Sequence, residues 1–193
     1  MKKDNATVRS VVGVALITAN ILLLPFLAMQ FSDEVVWTLF DFALAGALLF
    51  GAGLTYQLVA RKSGKPVYRA AVGVAVAAAL VLAWLSFGVG IIGKDGDPAN
   101  RMYFGVIAVG IIGALIARFR PHGMSRALFA MALAQTAVAA IALIARLGYP
   151  ESGPLQLTLL NVFFIAAFIE SAWLFRRAAA GRSERGAISP AGC

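Results

Sequence analysis

Glu170 stands in the run NVFFIAAFIESAWLFRR, residues 161 to 177, where side chains are almost all apolar until the closing arginines. A carboxylate in such surroundings can take up a proton or a cation, or it can hold a neighbouring helix through a hydrogen bond. Asp41, in WTLFDFALAG, has the same options. Four neutral amides, Asn20, Gln57, Gln135 and Asn161, also fall inside apolar stretches and complete the set of candidate working groups. Each needs an internal partner, because lipid offers none.

No catalytic constellation accompanies them. The chain contains no Ser/His/Asp set, no G-x-S-x-G, no glycine-rich phosphate loop and no H-E-x-x-H. His122 is the only histidine, in RPHGMSR, and is expected to be a solvated loop residue. The segment KDGDPANR offers Asp95, Asp97 and Asn100, but it lacks the later ligands of a calcium loop and is expected to be a turn on Gly96 and Pro98. Cys193, the one cysteine, can form no intrachain disulfide. No catalytic, cofactor-binding or metal-binding residue, and no cofactor, is expected.

The elements that must position these groups follow from composition. Hydrophobic residues make up 61% of the 193 and charged ones 13%, with a mean hydropathy of +0.84, too apolar for a soluble domain. Runs long enough to cross about 30 Å of hydrocarbon as helix occur at 10–30, 35–60, 70–93, 102–118, 126–147 and 156–176. The expected fold is therefore an all-α integral membrane protein, a single six-helix transmembrane bundle over 1–178 followed by a disordered tail, 179–193.

Charge sets the expected threading. Fourteen of the 17 Lys and Arg residues lie in the N-terminus, in RKSGKPVYR, in RFRPHGMSR and in the tail, whereas the alternate loops hold only Lys94, Arg101 and Arg146. This positive-inside bias predicts both termini in the cytoplasm, in a bacterial-type inner membrane. The net charge of +8 thus comes from threading rather than from a nucleic-acid face, and no nucleic acid is expected. The same basic rim is expected to meet anionic lipid headgroups.

Arg9, Arg69 and Arg126 open the odd spans and Arg61, Arg118 and Arg176 close the even ones. The near-constant period suggests three tandem helical hairpins, 9–62, 69–120 and 126–178. In that register Glu170 aligns with Thr55 and Ile112, so only one hairpin carries the acid. Small residues at four-residue spacing, Ala43/Ala47/Gly51, Ala75/Ala79/Ala83, Gly105/Val109/Gly113 and Ala130/Ala134/Val138/Ala142, are expected to bring helices close or to serve a homo-oligomeric contact.

Glu170 lies six residues before Arg176, about 9 Å inside the helix end at ~1.5 Å per residue. At that depth it is expected to be neutralised or paired, with Gln57 as one partner. Asp41, six residues into the second span, is expected at a similar depth from the opposite side. Asn20, five residues before Pro25, is expected to serve the carbonyl of Ile21, which proline leaves without its donor. The functional expectation is a small, non-enzymatic accessory, assembly or scaffold subunit of a membrane complex, with a membrane-protein partner or a second copy. A small transporter or ion pathway using Glu170 and Asp41 is the alternative, and a lipid-modifying enzyme ranks third.

Overall fold

The computed structural model describes the backbone of residues 2–31 and 36–187, with side chains over 8–31 and 36–180. Its elements are α1 (Lys2–Phe31), α2 (Leu39–Ala60), α3 (Pro66–Gly88), a short 3-10 helix (Pro98–Arg101) leading into α4 (Met102–Ile116), α5 (Pro121–Ile144) and α6 (Pro154–Ala187). All six α-helical segments, the fourth counted with its 3-10 lead-in, are long and apolar enough to span a membrane, and no strand occurs among the described residues.

Helix starts fall on proline more often than the apolar pattern predicts. α3, α5 and α6 begin at Pro66, Pro121 and Pro154, two to five residues before the expected starts at 70, 126 and 156. Proline has no amide hydrogen to leave unsatisfied in a first turn, and its fixed φ suits that position. The preceding Lys65 and Arg120 are extended, as a residue before proline prefers. α4 and α5 end in left-handed residues, Arg118 at φ 48° and Arg146 at φ 51°. There Phe119 N–H reaches Ala114 O at 3.2 Å and Leu147 N–H reaches Ala142 O at 2.9 Å, so the last turns keep their carbonyls satisfied.

The chain divides into two compact units, Met1–Leu58 and Val59–Cys193. In the first, α1 meets α2 where Val14 packs on Gly53 and Leu22 on Gly46. In the second, α6 packs on α5 and on α3, and α4 packs on α5, whereas α3 and α4 touch only sparingly. The core of this unit is built from Phe164, Phe168 and Phe175 of α6, Tyr68 and Leu82 of α3, Met131 of α5, and Tyr103 and Val106 of α4. Its outer surface carries exposed Leu133, Ile144, Ile116 and Leu159, the arrangement a lipid solvent favours.

Close approach of α4 and α5 rests on small residues, though not on the whole expected stripe. A Cβ built at Gly113 would lie 2.6 Å from that of Ala127, whereas one built at Gly105 would meet nothing within 4 Å. Gly110, beside Met131, completes the contact instead of Gly105, because helical residues share a face at spacings of three as well as four. Gly51 likewise has nothing within 4 Å of a built Cβ, and Ala43 and Ala47 beside it are exposed.

The third span ends at Gly88 rather than at 93. Beyond it Ile91 and Ile92 turn inward and are fully buried in the loop. Asn100 makes this fold affordable in hydrogen bonds: its Oδ1 accepts from Ile91 N–H and Ile92 N–H, both at 2.9 Å, and its Nδ2 donates to Ile92 O at 3.0 Å. Ser152 ties the loop to the α5–α6 connection by donating to Gly93 O at 3.2 Å. Gly148, at φ 78°, passes so close that a Cβ there would come 2.9 Å from Gly93 Cα.

At the other end of this unit, the one that carries the basic connections, Lys65 Nζ donates to Ala178 O at 2.9 Å and Tyr68 O–H donates to Phe119 O at 2.8 Å. Tyr68, edge-on to Phe175 at 5.1 Å, belongs to the core. α6 itself continues past residue 178 to Ala187, and residues 188–193 lie outside the described residues.

Candidate functional site: a buried polar cluster and an exposed carboxylate

Three helices of the second unit each send one polar side chain to a common point. Asn161 of α6 is 1% exposed, Gln135 of α5 0% and Tyr103 of α4 0%. Asn161 Oδ1 accepts from Gln135 Nε2 at 2.9 Å and from Tyr103 O–H at 3.3 Å. Asn161 Nδ2 lies 3.2 Å from the Tyr103 oxygen and donates to Leu157 O at 2.8 Å. Thus Asn161 is the hub, with each of its amide atoms engaged, and the other two groups hang on it.

Gln135 is only half satisfied. Its Oε1 is buried without a hydrogen-bond partner, as is the hydroxyl of Ser125, ten residues earlier on the same helix. Donation through Nε2 to Asn161 fixes the amide's orientation, because turning it over would set two carbonyl oxygens against each other. One acceptor therefore points at no donor, a condition that costs free energy in an apolar interior.

Between the ends of α5 and α6 away from the basic connections lies a pocket of about 230 Å³, lined by Ala142, Leu143, Arg146, Tyr149, Ser152 and Leu157 among others. Leu157 links it to the cluster, since its carbonyl is the one that Asn161 holds.

The remaining candidates do not join this cluster. Asp41 lies in the first turn of α2, because that helix starts at Leu39 and not at 35. Its Oδ2 accepts from Thr38 N–H and Thr38 O–H, both at 2.7 Å, while Asp41 N–H reaches Thr38 Oγ1 at 3.3 Å. This is a reciprocal cap, a threonine and an acid three residues apart satisfying each other's backbone. Asp41 thus stands two residues after the start of its helix, not six.

Asn20 is exposed and donates to Leu16 O at 2.9 Å, not to Ile21 O. An amide on a helix reaches back to the turn before it, and the carbonyl of Leu16 is the one in reach. Gln57 is half-buried on α2 in the first unit.

Glu170 is exposed on α6. Its neighbours Arg176 and Arg177 lie over aromatic rings, 4.7 Å from Phe129 and 3.4 Å from Trp173. Among the described residues no hydrogen bond or ion pair engages the Glu170 carboxylate. The next residue, Ser171, turns toward α3 and donates to Ala71 O at 2.7 Å.

Residue type and spacing did not single out Tyr103, Ser152 or Ser171, and they placed Asn100 only in a turn. The [ST]-x-x-[DE] pattern of Thr38 and Asp41 was the one local signal available for any of this.

Chemically, the cluster consists of two neutral amides and a phenol. It offers one free acceptor to a donor and holds three helices in register. No group of three or more His, Cys, Asp or Glu side chains converges among the described residues. Six helices long and apolar enough to cross a membrane mark a multi-pass α-helical membrane protein. No protein-family model, no curated protein and no solved structure matches the chain.

Proposed function

We propose that the protein is a non-enzymatic accessory, assembly or scaffold subunit of a membrane complex. The observation that carries this reading is the direction its polar groups take in the second unit. The amides and the phenol turn inward onto one another, while Glu170, the one acid in the spans of that unit up to residue 180, is exposed and unpartnered. A group that processes a solute faces an internal cavity; a group that grips another protein faces outward. Purification in mild detergent followed by native mass spectrometry tests the reading. A stoichiometric partner is the expected result, and a lone monomer would refute it.

The reading includes threading with both termini in the cytoplasm of a bacterial-type inner membrane and three tandem hairpins, 9–62, 69–120 and 126–178. The charge asymmetry of the loops supports the first, and the spacing of the arginines at span ends supports the second. Anionic headgroups are the lipid partners of the basic rim, at about 1 kcal/mol per near-surface Lys or Arg. A reporter fused after Cys193 should be active in the cytoplasm; activity only outside would sink the topology.

One observation favours the alternative, a small transporter or ion pathway. Gln135 Oε1 is a buried acceptor with no donor, as a site awaiting a solute would have. Asp41 supports this reading less than its position in the sequence suggests, since Thr38 engages its carboxylate. Proton-coupled flux in proteoliposomes across a panel of solutes separates the two. Under the transport reading flux falls in Gln135→Leu and Glu170→Gln; under the scaffold reading there is none to lose.

A further inference from the structure

α6 is two-faced through its middle. Phe164, Phe168, Ala172 and Phe175 are buried, whereas Phe163, Ala166, Glu170, Trp173 and Arg177 are exposed at spacings of three and four that place them in one stripe. The stripe is apolar except at its centre and its end. Ala166, one turn before Glu170, leaves the backbone open to close approach by another helix. Neither nearby arginine pairs with the carboxylate; their guanidinium groups lie over the rings of Phe129 and Trp173. A carboxylate facing hydrocarbon is unfavourable by several kcal/mol unless it is covered.

We propose that this stripe of α6 docks a transmembrane helix of a different protein that carries a lysine or arginine inside its apolar span, the two charges meeting at Glu170. The inference rests on the scaffold reading and names the partner's chemistry.

Charge complementarity selects the occupant. A second copy of this chain brings no suitable cation: Arg9, Arg61, Arg69, Arg118, Arg126 and Arg176 open or close the spans, and Glu170 lies about 9 Å deeper than Arg176. A twofold contact through the stripe would set Glu170 against Glu170, which repels. An uncharged partner helix would cover the stripe and leave the acid buried without a counter-charge.

The test reconstitutes the full chain in phosphatidylcholine vesicles with a synthetic Leu/Ala transmembrane peptide bearing one lysine about six residues from its end, or leucine at that place. Binding is read by energy transfer between labels. Wild type should hold the lysine peptide about tenfold more tightly than the leucine peptide, and Glu170→Gln should lose the preference while still holding Phe163 and Trp173 on the stripe. Equal binding of the two peptides by wild type would overturn the proposal and assign Glu170 to interfacial exposure. Energy transfer between copies of the chain that disappears in Glu170→Gln would overturn it in favour of self-association.

The docking role and the scaffold reading fail separately: a lone monomer ends both. A partner that native mass spectrometry recovers equally with wild type and Glu170→Gln ends the docking role of Glu170 and leaves the scaffold in place.

Discussion

Replacing Asn161 with leucine should damage the protein far more than replacing Gln135, although the two residues are hydrogen-bonded to each other and equally buried. Asn161→Leu removes the acceptor for both Gln135 Nε2 and Tyr103 O–H, leaving two buried donors without partners at about 1–3 kcal/mol each. The expected loss is about 3 kcal/mol. For a chain of this size that corresponds to a fall in Tm of about 10 °C. Gln135→Leu removes one interhelical bond, about 0.6 kcal/mol on average within a membrane. It also removes the orphaned Oε1, so its net effect should lie within about 1 kcal/mol of zero.

Adding Gln135→Leu to Asn161→Leu should then restore part of the loss, because the stranded amide goes with it. Thermal unfolding of the detergent-solubilised protein, followed by tryptophan fluorescence, measures all three variants and closes the double-mutant cycle. A Gln135→Leu variant as damaged as Asn161→Leu, or a strictly additive double variant, would refute the assignment of Asn161 as the hub and of Oε1 as unpartnered.

Gly113→Ala should destabilise by about 1–3 kcal/mol through its approach to Ala127, with Ala127→Gly restoring much of it. Gly105→Ala, with open space at that position, should be neutral or gain up to about 1 kcal/mol of helix propensity, as read by the same unfolding assay. Asn100→Ala should release the amides of Ile91 and Ile92, so their hydrogen exchange quickens by at least tenfold while exchange in the middle of α6 stays unchanged. Thr38→Ala should cost about 1 kcal/mol by loss of the cap on α2, and Thr38→Ser should recover most of that cost.

Much of the fold was legible because hydropathy acts over whole segments. A run of about 20 apolar residues has one comfortable place, and a helix is the only local structure that satisfies its backbone there. Six spans and the all-helical class follow from that alone, since no contact between distant residues is needed. Boundaries were less legible, because apolar length does not say where the backbone turns: Pro66, Pro121 and Pro154 start helices that hydropathy would begin later. Ile91 and Ile92 are the clearest case. They read as the end of a span, yet Asn100, eight or nine residues away, supplies the bonds that let them fold into a loop.

By itself the sequence determined that this chain is built of membrane-length helices and which few polar residues lie inside them, since both depend on residue type and local spacing. Only the tertiary structure decided what those residues do for one another. Gln135 and Asn161 come together with Tyr103 because α5 packs on both α4 and α6. Asp41 is absorbed into a cap because its helix begins two residues before it. Glu170 is left exposed because the opposite face of α6, with its phenylalanines, is the one that fills the core. In an apolar helix with large side chains on every side, spacing cannot say which face turns inward. The packing of one helix on another settles that, and with it whether a polar group becomes a fastening or a contact offered to something else.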